Sequence, residues 1–328
     1  NGRRRSPWHF CLLLAAFGTQ HCSAAFPLGM GVLSPLGSQS AFVHLFEWSW
    51  PDIAQECEEW LGPKGFSAVQ ISPPSEHIKG PQWWTRYQPV SYNLTSRSGD
   101  ETALADMVKR CAKVGVSIYV DAVINHVAAG SGVGIIGSPY GNRQTSLYKQ
   151  EDFHHLEDSG SNCGVSNFQD QHNVQYCDLE GLPDLCTGCE KVQLTVAQYL
   201  SHLKSIGVAG FRVDAAKHQD AAELLQLLSR VDGGVPYVFG EVQRGGVVVP
   251  EMYTKIGQVT EFNYADQLSP NILAHGKMKY LQTFGESWGF ITSSKAVVFI
   301  DNHDTQRGMA QLTYKSGDVY TFANVFML

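Results

Sequence analysis

The sequence predicts an α/β protein built as a (β/α)8 TIM barrel, and two observations support this prediction. From Ala41 onward, short apolar runs alternate with helix-length amphipathic segments, which is the rhythm of βα units in a parallel sheet. Each apolar run also ends in polar groups. Because strand bodies fill the interior of such a barrel and the carboxyl ends carry its functional groups, we expect these polar ends to form the functional face.

Seven apolar runs predict seven barrel strands. They cover residues 41–48, 66–73, 117–126, 208–215, 237–242, 259–266 and 296–304. Between the third run and the fourth lies a stretch of about 60 residues rich in Gly, Ser, Asn and Asp, too long for an ordinary βα connection, which predicts an inserted subdomain. The segment Asp318–Leu328 has the pattern of the helix that precedes an eighth strand. The barrel is therefore predicted to be truncated before its eighth strand.

The first 25 residues have the three parts of a secretory signal peptide. Arginines at 3–5 precede an apolar run at 10–17, and small residues follow at 23–25. That run is too short to span a bilayer, and no later stretch approaches the ~20 apolar residues of a membrane helix. We therefore expect a secreted, extracellular protein with no membrane partner.

These features predict a domain order. It comprises the signal peptide (1–25), a first barrel part with strands 1–3 (26–126), an inserted subdomain B (127–185) and a second barrel part with strands 4–7 (186–328). The C-terminal part of the barrel and a following β domain are expected to be missing.

The charge balance limits the possible partners. The formal net charge is -7 at pH 7 and the pI is about 5.9, so a nucleic acid or an anionic membrane would not be attracted to the surface. A neutral ligand or a cation fits better, and we expect a monomer without nucleic-acid partners.

The cysteines favour disulfides. Of the eight cysteines, Cys11 and Cys22 fall within the predicted signal peptide, and the remaining six are an even number in an oxidising compartment. Sequence alone leaves fifteen pairings. The tripeptide Asn93-Leu94-Thr95 is an N-glycosylation acceptor motif, which is consistent with secretion.

Three carboxylates close predicted strands: Asp214 ends GFRVD, Glu241 follows YVFG, and Asp304 ends FIDNHD. Hydrolysis of a glycosidic bond needs a carboxylic acid to protonate the leaving oxygen and a carboxylate to attack carbon or activate water. A single such carboxylate is equally explained as a helix cap or salt-bridge partner. Three of them together, with Arg212 two residues before Asp214 on the same strand face, favour a catalytic role.

Four motifs follow one another along the chain: DAVINH (121–126), GFRVDAAKH (210–218), GEV (240–242) and FIDNHD (299–304). Together with the stretch WWTRYQPVSYNL from Trp83, they resemble the animal-type α-amylases of glycoside hydrolase family thirteen. The resemblance covers residues 42–328 and implies a TIM barrel with a calcium-binding subdomain inserted after the third strand.

The resemblance also implies roles for individual residues. Asp214 matches the family's nucleophile, Glu241 its general acid/base and Asp304 its transition-state stabiliser in a retaining double displacement. The residues expected to bind substrate are Trp83, Trp84, Tyr87, His126, Arg212, Lys217, His218 and His303.

Two ions and two disulfides are implied in the same way. Calcium ligands would be Asn125, Asp184 and the backbone carbonyls of Gln175 and His218, since a hard cation takes oxygen ligands. Chloride would be held by Arg212 and Asn302, with a second arginine beyond Leu328. The implied disulfides are Cys57–Cys111 and Cys163–Cys177, while the pair in Cys186-Thr-Gly-Cys189 departs from the family pattern and is expected to form a mutual disulfide or an interchain contact.

The implied activity is the endo-hydrolysis of α-1,4-glucosidic bonds in starch, glycogen and malto-oligosaccharides. Two alternatives remain open: an α-glucosidase or transglycosylase on the same scaffold, and a truncated non-catalytic glycan-binding relative. The stretch WWTRYQP and the matched chloride positions disfavour the first, and the presence of all three carboxylates disfavours the second.

Overall fold

A computed structural model describes residues 41–141, 143–155, 163–275 and 277–328. The predicted signal peptide lies outside the described residues. Within the described ranges, no helix is both long enough and apolar enough to cross a membrane.

A curled parallel sheet of seven strands forms the centre of the fold, and the strands follow one another in chain order. These strands are β1 (Phe42–Leu45), β2 (Ala68–Ile71), β3 (Ser117–Ala122), β6 (Gly210–Val213), β7 (Val238–Gly240), β8 (Gln258–Thr260) and β9 (Ala296–Val297). A separate antiparallel hairpin consists of β4 (Ser131–Val133) and β5 (Pro139–Gly141). Each predicted run supplies one strand, so the prediction of a partial TIM barrel is confirmed, and no eighth barrel strand occurs in the described ranges.

Two runs are strands over only part of their length. Run 259–266 leaves the sheet after Thr260, because the side chain of Glu261 accepts from the amide of Asn263 and caps a helix there. Run 296–304 contains only the two-residue strand β9. Its polar end therefore lies in an irregular segment rather than at a strand terminus.

Helices cover the outer face of the sheet and connect its strands. They are α1 (Trp50–Glu56), α2 (Gly62–Lys64), α3 (Glu101–Lys113), α4 (Gln171–Tyr176), α5 (Glu190–Ile206), α6 (Ala221–Ser229), α7 (Phe262–Leu273) and α8 (Asp318–Met327). Asp100 and Asp220 begin α3 and α6 by accepting hydrogen bonds from the first free amides. Helix α8 lies where the sequence predicted it.

An aromatic layer fills the amino-terminal end of the barrel interior. The ring of Phe42 lies 5.4 Å from Tyr119 and 5.6 Å from Phe239, and Tyr119 lies 4.6 Å from Tyr237. Gly210 is needed in this layer, since a Cβ there would come within 2.8 Å of the Tyr119 and Tyr237 rings. Side chains two residues further along β3 and β6 share this interior face, which places polar groups above an apolar floor.

The segment between β3 and β6 contains the β4–β5 hairpin, α4 and α5. Its return to the barrel is fixed at the end of β3, where the amide of Leu185 donates to the carbonyl of Asn125 and that of Val127 donates to Pro183. The boundaries of subdomain B at 127 and 185 stay a prediction.

Three disulfides are present in the described residues: Cys57–Cys111, Cys163–Cys177 and Cys186–Cys189. The first joins the end of α1 to α3, and both implied pairings are found. The third is a mutual disulfide at the start of α5, as the first of the two expectations stated.

Candidate active site

Three carboxylates surround the guanidinium of Arg212 at the carboxyl ends of β3, β6 and β7. Arg212 Nη1 donates to Asp121 Oδ1 at 2.6 Å and to Asp214 Oδ1 at 2.8 Å, and Nη2 lies 2.7 Å from Glu241 Oε1. The Asp121 side chain is fully buried, whereas the side chains of Asp214 and Glu241 are 9% and 18% exposed. Asp214 and Glu241 therefore face one guanidinium from neighbouring strands, and both reach solvent.

The backbone after β6 orients Glu241. Ala215 adopts a left-handed conformation with φ 47°, which is uncommon for a residue other than glycine. In this conformation its amide donates to Glu241 Oε2 at 3.0 Å, and the Glu241 amide donates to the carbonyl of Val213. The turn that follows Asp214 thus fixes the position of the second carboxylate.

The charges of this cluster are coupled. The pKa of Asp214 is raised above its ordinary value. Burial and the charges of the neighbouring Glu241 and Asp121 raise this pKa, and they outweigh Arg212, which lowers it. Burial raises the pKa of Asp121 as well. One guanidinium thus faces three carboxylates, so Arg212 does not neutralise the cluster by itself.

Asp304 lies at the edge of the same cluster. Burial and the nearby charge of Glu241 raise the pKa of Asp304 to about 6, and its Oδ2 lies 3.4 Å from His303 Nε2. The sequence predicted that Asp304 ends a strand, and this prediction is wrong. Asn302 Oδ1 accepts from the amides of Asp304 and Thr305, so the chain forms a turn there. The turn presents a carboxylate that is still 34% exposed.

Aromatic rings form a wall beside Asp304. His303 stacks on Phe46 at 4.8 Å and on Tyr87 at 5.3 Å, while Trp83 meets both His303 and Tyr87 edge-on. Burial lowers the pKa of His303 so that its ring is neutral. Trp84, next in the chain, is 44% exposed. The structure thus brings Trp83, Tyr87 and His303 together, with Trp84 at the surface nearby.

His126 connects this wall to the end of β3. Its Nε2 donates to the carbonyl of Tyr87 at 2.9 Å, and its Nδ1 accepts from Asn125 Nδ2 at 3.3 Å. One ring nitrogen donates and the other accepts, which requires the neutral ring, and burial lowers the pKa of His126 to about 4. The hydroxyl of Tyr87 in turn donates to Asp121 Oδ2 at 2.8 Å, so the wall and the cluster share one hydrogen-bond network.

Lys217 and His218 lie after β6 and are both buried. Lys217 Nζ donates to the carbonyls of Gln243 and Gly245 and lies 4.8 Å from the ring of Phe168. His218 Nδ1 lies 2.9 Å from the carbonyl of Val174, and burial lowers the pKa of His218. In this arrangement Lys217 ties the loop after Glu241 to β6.

Two of the four expected calcium positions, Asn125 and Asp184, lie together at the junction between β3 and the inserted segment. Asn125 Oδ1 and Asp184 Oδ1 are buried and have no hydrogen-bond partner among the described residues. Burial raises the pKa of Asp184, and the Asn125 amide beside it has the opposite effect. Gln175 and His218 meet on the other side, where Gln175 Nε2 donates to the carbonyl of Gln219.

Comparisons with known proteins agree with this geometry. Residues 65–233 match the family model described as alpha amylase, catalytic domain. The "Alpha-amylase" of Aeromonas hydrophila is 45% identical over 318 residues, which is 93% of this chain and 70% of the relative. The chain belongs to the alpha-amylase catalytic-domain family.

Animal members of the alpha-amylase family are similar to the same extent. The "Alpha-amylase" of Tribolium castaneum is 44% identical over 328 residues, which cover 94% of this chain and 66% of that protein. Crystal structures of alpha-amylase I from Eisenia fetida, one wild type and one a mutant with maltohexaose, superpose with TM-scores of 0.84 and 0.83 at 37% identity. The superposed residues are 88% and 87% of this chain, and 65% and 63% of the two Eisenia fetida chains. The chain spans between 51% and 70% of the length of the curated relatives it matches.

Three residues of this alpha-amylase-family site were missed by the sequence analysis. Phe46 directly follows β1 and belongs to the aromatic wall, and Arg307 places its guanidinium 5.1 Å from the Phe46 ring and 4.6 Å from that of Trp83. Phe168 contacts Lys217 from the inserted segment. The position of Phe46 at a strand end was a usable signal, whereas Arg307 and Phe168 lie in irregular segments whose course the sequence did not predict.

Proposed function

We propose that this chain carries the catalytic machinery of a retaining α-amylase, which hydrolyses internal α-1,4-glucosidic bonds of starch, glycogen and malto-oligosaccharides. The observation that carries the proposal is the shared contact of Asp214 and Glu241 with Arg212 at the ends of adjacent strands. A pair of carboxyl groups that flank the scissile bond is the requirement of glycoside hydrolysis, and we expect the separation of about 5–5.5 Å that retaining enzymes have.

Asp214 is the proposed nucleophile and Glu241 the proposed acid. Glu241 gives its proton to the leaving oxygen while Asp214 Oδ attacks the anomeric carbon, which forms a glycosyl ester and breaks the glycosidic bond. Glu241 then accepts a proton from water as that water displaces Asp214. Glu241 is the most exposed of the three carboxylates around Arg212, which leaves it the most accessible to a leaving oxygen and to water.

The aromatic wall is the proposed binding surface for the glucose units. Sugar rings present apolar faces that pack against aromatic side chains, and Trp83, Tyr87 and Trp84 supply such faces beside the carboxylates. His303 is neutral and offers a ring nitrogen to sugar hydroxyls, whereas both ring nitrogens of His126 are hydrogen-bonded within the protein, so that His126 positions Tyr87. Asp304 stabilises the positive charge that develops on the reacting sugar, a role that requires its ionised form. The substrate class proposed for this chain agrees with the maltohexaose in the complex of mutant alpha-amylase I from Eisenia fetida.

Calcium fits the residues at the junction of β3 and the inserted segment. A buried amide oxygen and a buried carboxylate oxygen without partners among the described residues, on Asn125 and Asp184, are the ligands that a hard cation prefers. The carbonyls of Gln175 and His218 are proposed to complete the set. A bound cation would add positive charge beside the buried Asp184 carboxylate and would hold the inserted segment against the barrel.

Chloride fits less well. Arg212 already directs its terminal nitrogens at three carboxylates, and Asn302 Oδ1 accepts from backbone amides. These two residues do not form an anion site on their own, so chloride stays a prediction from the resemblance and no step of the mechanism uses it.

Secretion is part of the proposal. Three disulfides in the described residues are typical of an oxidising compartment, in agreement with the signal peptide predicted for residues 1–25.

The test uses maltoheptaose and soluble starch with the wild-type chain, Asp214→Asn and Glu241→Gln. Each variant is expected to lose at least about 10³-fold in kcat/KM. Asp106→Asn, which changes a carboxyl group that is 61% exposed on α3, is the matched control and should retain activity. Full activity in either site variant would overturn the assignment.

Product lengths and binding separate the alternatives. Early products of three or more glucose units indicate internal cleavage, whereas glucose alone would indicate an α-glucosidase and longer products a transglycosylase. A wild-type chain that is retarded by starch in affinity electrophoresis but releases no sugar would be the non-catalytic relative.

A further inference from the structure

The glycosylation motif lies on a rigid and accessible part of the barrel. Asn93 is exposed, and within the described residues its side-chain amide has no hydrogen-bond partner. Its backbone is fixed, because its carbonyl accepts from the amide of Glu76 at 2.8 Å, and Leu94 beside it is only 1% exposed. The acceptor nitrogen thus projects from an anchored segment outside the proposed active site.

An open cleft of about 460 Å³ begins at Asn93, a size typical of small-ligand sites. One wall comes from the inserted segment, a second from α5, and the floor from the chain that carries the motif. The lining of the cleft includes the side chains of Tyr92, Ile136, Leu147 and Tyr199.

Buried polar contacts hold the walls of this cleft in place. Glu76 is fully buried and accepts from the hydroxyl of Ser91 at 2.6 Å and from the amides of Ile136 and Ser138 at 3.3 and 3.2 Å. The cleft is therefore formed before any ligand binds.

The surfaces inside the cleft suit a sugar. The rings of Tyr92 and Tyr199 stack on each other at 4.4 Å and form a rigid base, and Ile136, at 46% exposure, presents its apolar side chain to the cleft. Sugar rings pack their apolar faces on such groups while their hydroxyls stay in water.

We propose that Asn93 is N-glycosylated and that its first N-acetylglucosamine lies in this cleft against Ile136, joining the inserted segment to the barrel. The proposal rests on secretion but not on catalysis. The bond from Asn93 Nδ2 to the sugar C1 forms as C1 leaves the pyrophosphate of a polyprenyl-linked oligosaccharide, and the amide proton passes to the transferase base.

Occupancy is tested by expression behind a host leader peptide in a eukaryotic cell that makes high-mannose glycans. Mass spectrometry of peptides from both the secreted and the retained pools should show hexosamine on Asn93 in the wild type and in Thr95→Ser, and none in Asn93→Gln or Thr95→Ala. Because transfer precedes folding, this result does not depend on the stability of the chain. Unmodified Asn93 in both wild-type pools would overturn the proposal.

The position of the sugar is tested with endoglycosidase H, which leaves one N-acetylglucosamine, against Asn93→Asp, which carries none. The trimmed protein should exchange amide hydrogens more slowly at residues 135–138 and melt about 2 °C higher. Ile136→Ser should keep the glycan but lose both differences. Identical exchange and melting in the trimmed and bare proteins would refute the placement in the cleft.

Discussion

Replacing Arg212 with Gln would leave three carboxylates without the cation they share. All three lie within 2.8 Å of its terminal nitrogens, and none of their side chains is more than 18% exposed. Removing one partner of a buried ion pair typically costs about 3–5 kcal/mol, because the charge left behind is uncompensated. With an unfolding entropy near 2.1 cal/mol/K per residue over 328 residues, this corresponds to a fall in Tm of about 4–7 °C.

The loss should depend on pH in a defined direction. Without Arg212 the pKa values of Asp121 and Asp214 rise further above those of the unfolded chain, so the folded variant takes up protons as the pH falls. The free energy of unfolding lost by Arg212→Gln should therefore be largest near pH 7.5 and smaller near pH 5. Thermal unfolding followed by tryptophan fluorescence at both values measures it, with Arg212→Lys as the control that keeps a charge but not the planar fork.

Two results would refute this reasoning. One is a fall in Tm below about 1 °C at pH 7.5, which would mean that the guanidinium does not hold the cluster. The other is a loss that grows towards pH 5, which would mean that the carboxylates are not the groups left unpaired.

Three further predictions concern other parts of the molecule. Removal of calcium with EGTA should lower the Tm of the wild type but not that of Asp184→Asn, and equal shifts in both would remove Asp184 from the calcium site. Because burial raises the pKa of Asp304 to about 6 and its role requires the charged form, kcat/KM should fall as the pH drops below about 6; constant kcat/KM down to pH 4.5 would contradict this. Opening the disulfide Cys57–Cys111 by a double change to Ala should cost about 4 kcal/mol in urea unfolding, as expected for a separation of 54 residues, and a cost below about 1 kcal/mol would show that the cross-link does not constrain the unfolded chain.

The strand order was predictable because each barrel strand has a local signature. A short apolar run with a polar end is visible without any tertiary information, and all seven runs became neighbouring parallel strands. The limits of the strands were not predictable to the same extent. Glu261 turns run 259–266 into a helix through a single capping hydrogen bond, and such a competition between strand and helix is decided by the fold around it.

The contact between Arg212 and Asp214 was predictable, but the charges around it were not. Arg212 and Asp214 share a strand face by their spacing alone, so their contact followed from the pattern. The contribution of Asp121 and Glu241 to the charge of Asp214 depends on distances between different strands. Arg307 was not predicted because its position over Trp83 also depends on tertiary structure, in this case the turn after β9.

The anomeric configuration of the first products tests the central claim most directly. ¹H NMR of maltoheptaose during the first minutes of hydrolysis by the wild type distinguishes the two stereochemical outcomes before mutarotation mixes them. An initial excess of the α anomer at the new reducing ends is the expected result, since displacement by Asp214 and then by water retains configuration. An initial excess of the β anomer would mean a single displacement by water and would contradict the assignment of Asp214 as nucleophile.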